Sequence, residues 1–94
     1  MPMPRLDPDV LDLAPTDPAV TAYDEENFFT YLRLLHAKAE GEDWREVARI
    51  VLHIDPNHEP DRARQCYDSH LARAKWVSRH GYQLLLEHGW PNQN

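Results

Sequence analysis

The sequence predicts an all-α fold, a small bundle of three or four helices behind a flexible N-terminal tail. Apolar residues recur at helical spacing from residue 21 onward, and Gly and Pro separate the periodic segments. No segment shows the alternation of a strand. With 94 residues, of which 41% are hydrophobic, the chain has enough apolar material for one core and no more.

Residues 1–20 form the predicted tail. They contain five of the eight prolines and four aspartates, a composition that blocks a continuous helix. Apolar residues are scattered through this segment, among them Leu11 and Leu13, and such residues can lie on a domain surface or contact a partner. The predicted organisation is therefore a flexible Pro/Asp-rich tail, residues 1–20, followed by a helical domain, residues 21–90.

The first predicted helix runs from about Tyr23 to Glu40. Thr21 and Asp24 have the spacing of a capping box, and Gly41 supplies a stop. Its apolar residues cover a face wide enough to pack on more than one neighbouring element. They are Phe28, Phe29, Tyr31, Leu32, Leu34, Leu35 and Ala39.

The second predicted helix spans about Trp44 to His53, with Asp43 as its N-cap. Its surface is almost continuously apolar, a pattern typical of a helix held between others. We therefore expect this helix to be the central buried element. The residues that interrupt the apolar surface are Arg45, Glu46, Arg49 and His53.

The third predicted helix begins near Pro60, because the preceding segment D-P-N-H-E-P ends one helix and begins another. It ends near His80, since Gly81 offers a C-terminal cap, and a short fourth helix would then fold back. The alternative is an unbroken helix to about Glu87, at a cost of roughly 1 kcal/mol for the interior glycine.

The sequence predicts neither catalysis nor a metal or other cofactor. Cys66 and His70 are four residues apart on the third helix and could supply two metal ligands. Both lie on or beside the apolar stripe, which favours a packed thiol and a hydrogen-bonded core imidazole. A metal-binding or catalytic module built on this pair remains a third hypothesis. The single cysteine and the lack of a long apolar segment predict a cytoplasmic protein without a membrane partner.

The second and third helices have the outline of a helix-turn-helix unit, which usually binds DNA. Residues 61–80 carry five bases against two acids, but the whole chain has a formal charge of -6. The bases do not share one stripe of the helix, and a negative field opposes contact with phosphates. Direct DNA binding is therefore disfavoured, and a sequence-specific DNA-binding regulator that uses the third helix is the alternative hypothesis.

Trp76 lies well over 100° from the centre of the apolar stripe of the third helix. We expect the tail or the fourth helix to cover it, or the indole to anchor a partner protein, as Trp often does in interfaces. A small domain gains by burying each large aromatic residue, so cover is the favoured outcome.

Three strings in the sequence resemble a known family: D-W-R-E-V-A-R-I-V-L at residues 43–52, S-H-L-A-R-A-K-W at residues 69–76, and G-Y-x-x-L-L at residues 81–86. The region from about Tyr23 to Glu87 resembles the QseM-like antiactivators, which are short stand-alone members of a proteobacterial family of domains of unknown function. The resemblance implies a variant helix-turn-helix fold and a regulatory role on integrative and conjugative elements.

Members of that class bind a LuxR/TraR-type quorum-sensing transcription activator and an excision activator with a related domain, and they inhibit both. The resemblance therefore implies an antiactivator that represses excision and conjugative transfer. The acidity of this chain fits a partner with a basic DNA-binding surface. The residues predicted to contact the partner are Leu11, Leu13, Leu34, Arg73 and Trp76.

Overall fold

The computed structural model describes the backbone of residues 10–88 and the side chains of residues 10–80. The predicted all-α fold is confirmed, and the described residues contain no strand. Residues 10–20 form a non-helical segment, which we call the strap. None of the described helices combines the length and the apolarity needed to cross a membrane. The helices are α1 (Ala22–Glu26), α2 (Phe28–Ala39), α3 (Trp44–Ile50) and α4 (Pro60–His88).

The first predicted helix is divided into α1 and α2 at Asn27. The predicted capping box is present at the start of α1, where Asp24 N–H donates to Thr21 Oγ1 at 3.2 Å and Thr21 N–H donates to Asp24 Oδ2 at 2.8 Å. Asn27 leaves the helical conformation, and its Nδ2 donates to the Tyr23 carbonyl at 2.9 Å. Because the Asn side chain competes for backbone groups, the prediction of one continuous helix is wrong at this residue.

Helix α3 is shorter and more exposed than the sequence predicts. Asp43 caps it as predicted and accepts a backbone N–H at 3.0 Å, but the helix ends at Ile50 rather than at His53. Ile50 is 63% exposed, and only Val47 and Ala48 of this helix are buried. The prediction that this helix is the central element is therefore wrong. In so small a bundle it packs one face on α4 and leaves the other in solvent.

The central element is α4, which runs unbroken from Pro60 to His88 and contacts both α2 and α3. Gly81 lies within the helix, so the short fourth helix that folds back is not formed over residues 81–88. The alternative of an unbroken helix is confirmed. Ala63 and Ala74 are buried on its inner face, where their small side chains let neighbouring helices approach closely.

The core lies between α2, α3 and α4 and is closed by the connection of residues 51–59. This connection is longer than the three- or four-residue turn of a helix-turn-helix unit, and it is partly internal because some of its residues are buried in the core. Trp44 packs at the edge of the core, with its ring centroid 6.2 Å from that of Tyr67. The buried core residues are Leu34, Ala37, Val47, Ala48, Leu52, Ile54, Ala63, Cys66, Tyr67 and Leu71.

Candidate functional site

The strap lies along α4 and runs in the same direction. Cys66 Sγ donates to the Leu11 carbonyl at 3.5 Å, and Ala14 N–H donates to Ser69 Oγ at 3.1 Å. Farther along, the Arg73 guanidinium donates to two carbonyls near the end of the strap at 2.7 and 3.0 Å. This part of the predicted flexible tail is therefore a packed segment. The remainder of the tail, residues 1–9, lies outside the described residues.

The strap holds two leucines outward. Leu11 and Leu13 are 58% and 60% exposed, whereas Ala14 is only 7% exposed. Asp12, between the leucines, accepts from Arg62 Nε at 2.8 Å. Because the anchors are main-chain groups and one carboxylate, the leucine side chains are positioned without being buried. A fixed apolar pair of this kind loses little entropy when a partner contacts it.

Arg73 forms a buried ion pair with Asp24. Its Nε and Nη2 donate to the two carboxylate oxygens at 3.0 and 2.7 Å, and Tyr31 Oη donates to the same carboxylate at 2.7 Å. Burial acts to raise the pKa of Asp24, but hydrogen bonds from Arg73, Thr21 and Tyr31 hold this pKa below its ordinary value. The hydrogen bond to Asp24 in turn raises the pKa of Arg73. One ion pair thus joins the strap, α1 and α4.

A hydrogen-bonded chain also joins the strap to α4 through Tyr23 and His70. Leu11 N–H donates to Tyr23 Oη at 3.0 Å, and Tyr23 Oη lies 2.6 Å from His70 Nε2. His70 Nδ1 lies 2.8 Å from the Cys66 carbonyl, so Nδ1 carries the ring proton and Nε2 accepts from the tyrosine. Burial lowers the pKa of His70, and it raises the pKa of Tyr23 to about 12.

Cys66 and His70 have the environment of core groups, as the sequence favours. Burial raises the pKa of the Cys66 thiol to about 11, and a thiol that stays protonated is a weak nucleophile. Ser69 Oγ lies 3.4 Å from His70 Nδ1, but that nitrogen carries a proton and cannot act as a base. Within the described part of the chain, no three His, Cys, Asp or Glu side chains are arranged to hold a metal ion.

Trp76 is half-buried and covered by two side chains of its own helix. The Arg73 guanidinium carbon lies 4.0 Å from the centroid of the Trp76 ring, and the His80 ring stacks on it with centroids 4.7 Å apart. The expected cover by the tail is thus indirect, because Arg73 stands between the strap and the indole.

The bases of α4 are mostly neutralised within the chain. Arg62 pairs with two acids at 2.8 and 2.9 Å, and Arg64 pairs with one acid at 3.0 Å. Arg73 is buried in its ion pair at 2.7 Å. Among residues 10–80, Lys75 and Arg79 are the cations of α4 that have no acid within ion-pair distance. The local positive charge of this helix therefore does not form a continuous surface for phosphates.

The five predicted contact residues fall into two groups. Leu11 and Leu13 of the strap and Trp76 of α4 all have accessible surface. Leu34 is fully buried and Arg73 is 6% exposed, so neither is accessible to a partner and both predictions are corrected. Leu34 faces inward because α2 packs on α4, and Arg73 is drawn inward by its buried acidic partner.

The side chains that anchor the strap are not predicted by the sequence pattern. Arg62, Cys66, Ser69 and Arg73 are spaced i, i+4, i+7 and i+11, so they lie on one stripe of α4. Each of these side chains makes a hydrogen bond to the strap: Arg62, Cys66 and Arg73 donate to it, and Ser69 Oγ accepts from it. The sequence does contain one signal for these anchors, which is the stripe of polar side chains beside the apolar stripe of α4. Polar groups that another segment covers need hydrogen-bond partners, so this stripe indicates a covering segment.

No protein-family model matches the chain, and comparison with curated proteins gives no match. The resemblance to the QseM-like antiactivators rests on the three quoted strings.

Proposed function

We propose that this protein is a cytoplasmic, non-enzymatic antiactivator. It binds and inhibits a LuxR/TraR-type quorum-sensing transcription activator and an excision activator with a related domain. By sequestering them it represses excision and conjugative transfer of an integrative and conjugative element. These partners come from the resemblance of the sequence, and the geometry of the strap and of α4 supports a protein partner over DNA.

The neutralisation of the α4 bases carries the proposal. A helix that binds DNA presents cations to phosphates, but Arg62 and Arg64 contact acids of this chain and Arg73 is buried. The formal charge of -6 adds repulsion from the phosphate backbone. The same charge attracts the basic DNA-binding surface of an activator, and contact there would block DNA.

The strap supplies the apolar part of the proposed interface. Leu11 and Leu13 are exposed on a segment whose main chain is anchored, and Trp76 is linked to the end of that segment through Arg73. Apolar side chains with an acid nearby are suited to a partner surface that is basic with an apolar centre. The strap has two acids: Asp12 pairs with Arg62, and Asp17 forms no ion pair among the described residues.

The test uses a purified LuxR-type activator bound to a labelled promoter fragment. We expect the full-length protein to release the activator from DNA and to form a stable complex with it. The double variant Leu11→Ser, Leu13→Ser should bind the activator about tenfold more weakly or worse, with an unchanged free energy of unfolding. Ile50→Ser, which alters an equally exposed apolar residue on α3, is the matched control and should bind normally.

Trp76→Ala tests the indole separately. If Trp76 anchors the partner, this variant keeps its fold, as measured by circular dichroism and urea denaturation, and loses activator binding. Loss of the fold would instead assign Trp76 to the core. Absence of binding between the unmodified protein and any LuxR-type activator would refute the proposal as a whole.

The alternative, a DNA-binding regulator that uses α4, is supported by exposed Lys75 and Arg79. A gel-shift series at increasing salt separates the two functions, because phosphate contacts make binding strongly salt-dependent. We expect no shift of DNA by this protein alone at moderate concentration. A selective, salt-sensitive shift that Lys75→Gln and Arg79→Gln abolish would establish the alternative.

A further inference from the structure

Helix α2 has a second apolar face that points away from the core. Tyr31, Leu34 and Ala37 are buried on its inner face. Leu32, Leu35 and Ala39 are spaced i, i+3 and i+7 and fall within about 60° of one another on a helix of 3.6 residues per turn. Their centre lies roughly 130° from the centre of the buried set. We call these three residues the outer stripe.

The outer stripe keeps accessible surface in the folded chain. Leu32 is 46% exposed and Ala39 is exposed, whereas Leu35 is half-buried and has one side against the core. The wide apolar face of this segment predicts more than one neighbour. In the bundle α2 packs on α4 and, at its start, on α1, and the residues of α2 that these contacts bury are Thr30, Tyr31, Leu34 and Ala37, none of which belongs to the outer stripe.

The charge of α2 is opposite to that of the whole chain. Its sequence, F-F-T-Y-L-R-L-L-H-A-K-A, contains one arginine, one lysine and no acid, whereas the chain has 16 acids against ten bases. At 100° per residue, Lys38 lies on one side of the outer stripe and His36 lies on the other. Both side chains are exposed. The outer stripe is thus an apolar strip with a cation, Lys38, along one edge and an imidazole, His36, along the other.

We propose that the outer stripe docks an amphipathic helix of a partner protein whose own apolar stripe is flanked by acidic residues. Two helices that pair along apolar seams choose their partners through the charges beside the seam, and acids beside the partner seam would face Lys38 and His36. Helix-in-groove recognition of this kind needs apolar anchors at i, i+3 or i+4 and i+7, the spacing of the outer stripe.

The outer stripe shares no residue with the strap, and the partner charge that it favours is opposite to the partner charge that the strap favours. The strap presents leucines beside acids and fits a basic partner, whereas the outer stripe presents leucines beside bases and fits an acidic helix. The protein would therefore contact two chemically different surfaces. The inference stands independently of the antiactivator function, because it requires neither the activator nor any strap residue.

The test is an NMR titration of the full-length, 15N-labelled protein with two synthetic peptides. Each peptide has three heptads with leucines along one seam and is stapled so that it is helical as a monomer. One has glutamates beside the seam and the other has lysines. We expect the glutamate peptide to shift amides of α2 around Leu32 and Ala39, and the lysine peptide to leave those amides unchanged.

Variants then locate the contact. Leu32→Ser should weaken binding of the glutamate peptide about tenfold, and Lys38→Glu should weaken it and favour the lysine peptide. Ile50→Ser, on α3, is the matched control and should bind like the unmodified protein. Shifts that map outside α2, or an equal effect of Leu32→Ser and Ile50→Ser, would overturn the proposal. So would a wild-type dimer in sedimentation equilibrium that Leu32→Ser dissociates, because the occupant would then be a second copy.

Discussion

At the scale of single residues, Asp24 and Arg73 join more parts of the chain than any other pair described above. The carboxylate of Asp24 begins as half of a capping box, a local role that its spacing from Thr21 predicts. Its second role, as the partner of Arg73, requires two residues that are 49 positions apart to meet. Helical periodicity places a residue on a face but does not identify what covers that face.

Asp24→Asn tests this ion pair. We expect a loss of about 3–5 kcal/mol in the free energy of unfolding, because the Arg73 charge stays buried without its partner. Urea denaturation measures the loss. Asp68→Asn, which breaks the exposed pair with Arg64, is the control and should cost far less, since solvent screens that pair. Equal effects of the two substitutions would contradict the central place given to the buried pair.

His70 makes stability depend on pH. Burial lowers the pKa of His70 in the folded state, so below the unfolded value of about 6.5 the unfolded chain binds more protons than the folded chain. The contribution of neutral His70 to the free energy of unfolding is complete above that pH, and it is lost as the pH falls toward the pKa of His70 in the folded state. We expect the urea midpoint to fall between pH 7.5 and pH 5.5, and to fall less in His70→Gln. If the urea midpoint falls equally with pH in the unmodified protein and in His70→Gln, the pH dependence does not come from His70.

At the scale of elements, the local sequence determines the N-terminal caps of the helices, but it does not determine where most of the helices end. Thr21 and Asp43 cap α1 and α3 as their types and positions predict. The break at Asn27 and the early end of α3 depend on what each segment meets in the bundle. The glycines illustrate the difference: Gly41 follows the end of α2, whereas Gly81 lies within α4.

Two glycine substitutions distinguish these cases. Gly41 has φ +72°, with no atom within 4 Å of an added Cβ, so Gly41→Ala should lower the free energy of unfolding by about 1–2 kcal/mol through backbone strain alone. Gly81 lies inside α4, so Gly81→Ala should raise it by about 0.5–1 kcal/mol. Denaturation of the two variants gives both values. A destabilising Gly81→Ala would indicate that α4 does not continue through this residue.

At the scale of the whole molecule, the charge is distributed unevenly. The chain is acidic overall, α4 includes bases that contact acids of the same chain, and α2 is the described helix that carries no acid. The electric field of these charges is screened over a Debye length of about 8 Å at physiological salt. It therefore affects the rate at which partners associate more than the rate at which they dissociate.

The salt dependence of association tests this reasoning. We expect the association rate constant with a basic activator to fall steeply between about 50 and 300 mM salt, with a much smaller change in the dissociation rate constant. Surface plasmon resonance measures both. A variant with Glu40 and Glu42 changed to glutamine reduces the net charge without altering the strap, and it should show a shallower dependence. An association rate that does not change with salt would contradict electrostatic attraction.

The sequence by itself determined the helical class, the N-terminal caps, the core position of His70 and Cys66, and the exposure of Leu11 and Leu13. These properties depend on composition and on spacing within one turn or two of helix, which a single segment contains. The tertiary structure alone decided that residues 10–20 pack on α4, that Arg73 and Leu34 face inward, and that α4 rather than α3 is central. The physical reason is that burial and ion pairing depend on which surfaces of distant segments meet, and the hydrogen-bonded residues of the strap and α4 are 50 to 56 positions apart in sequence.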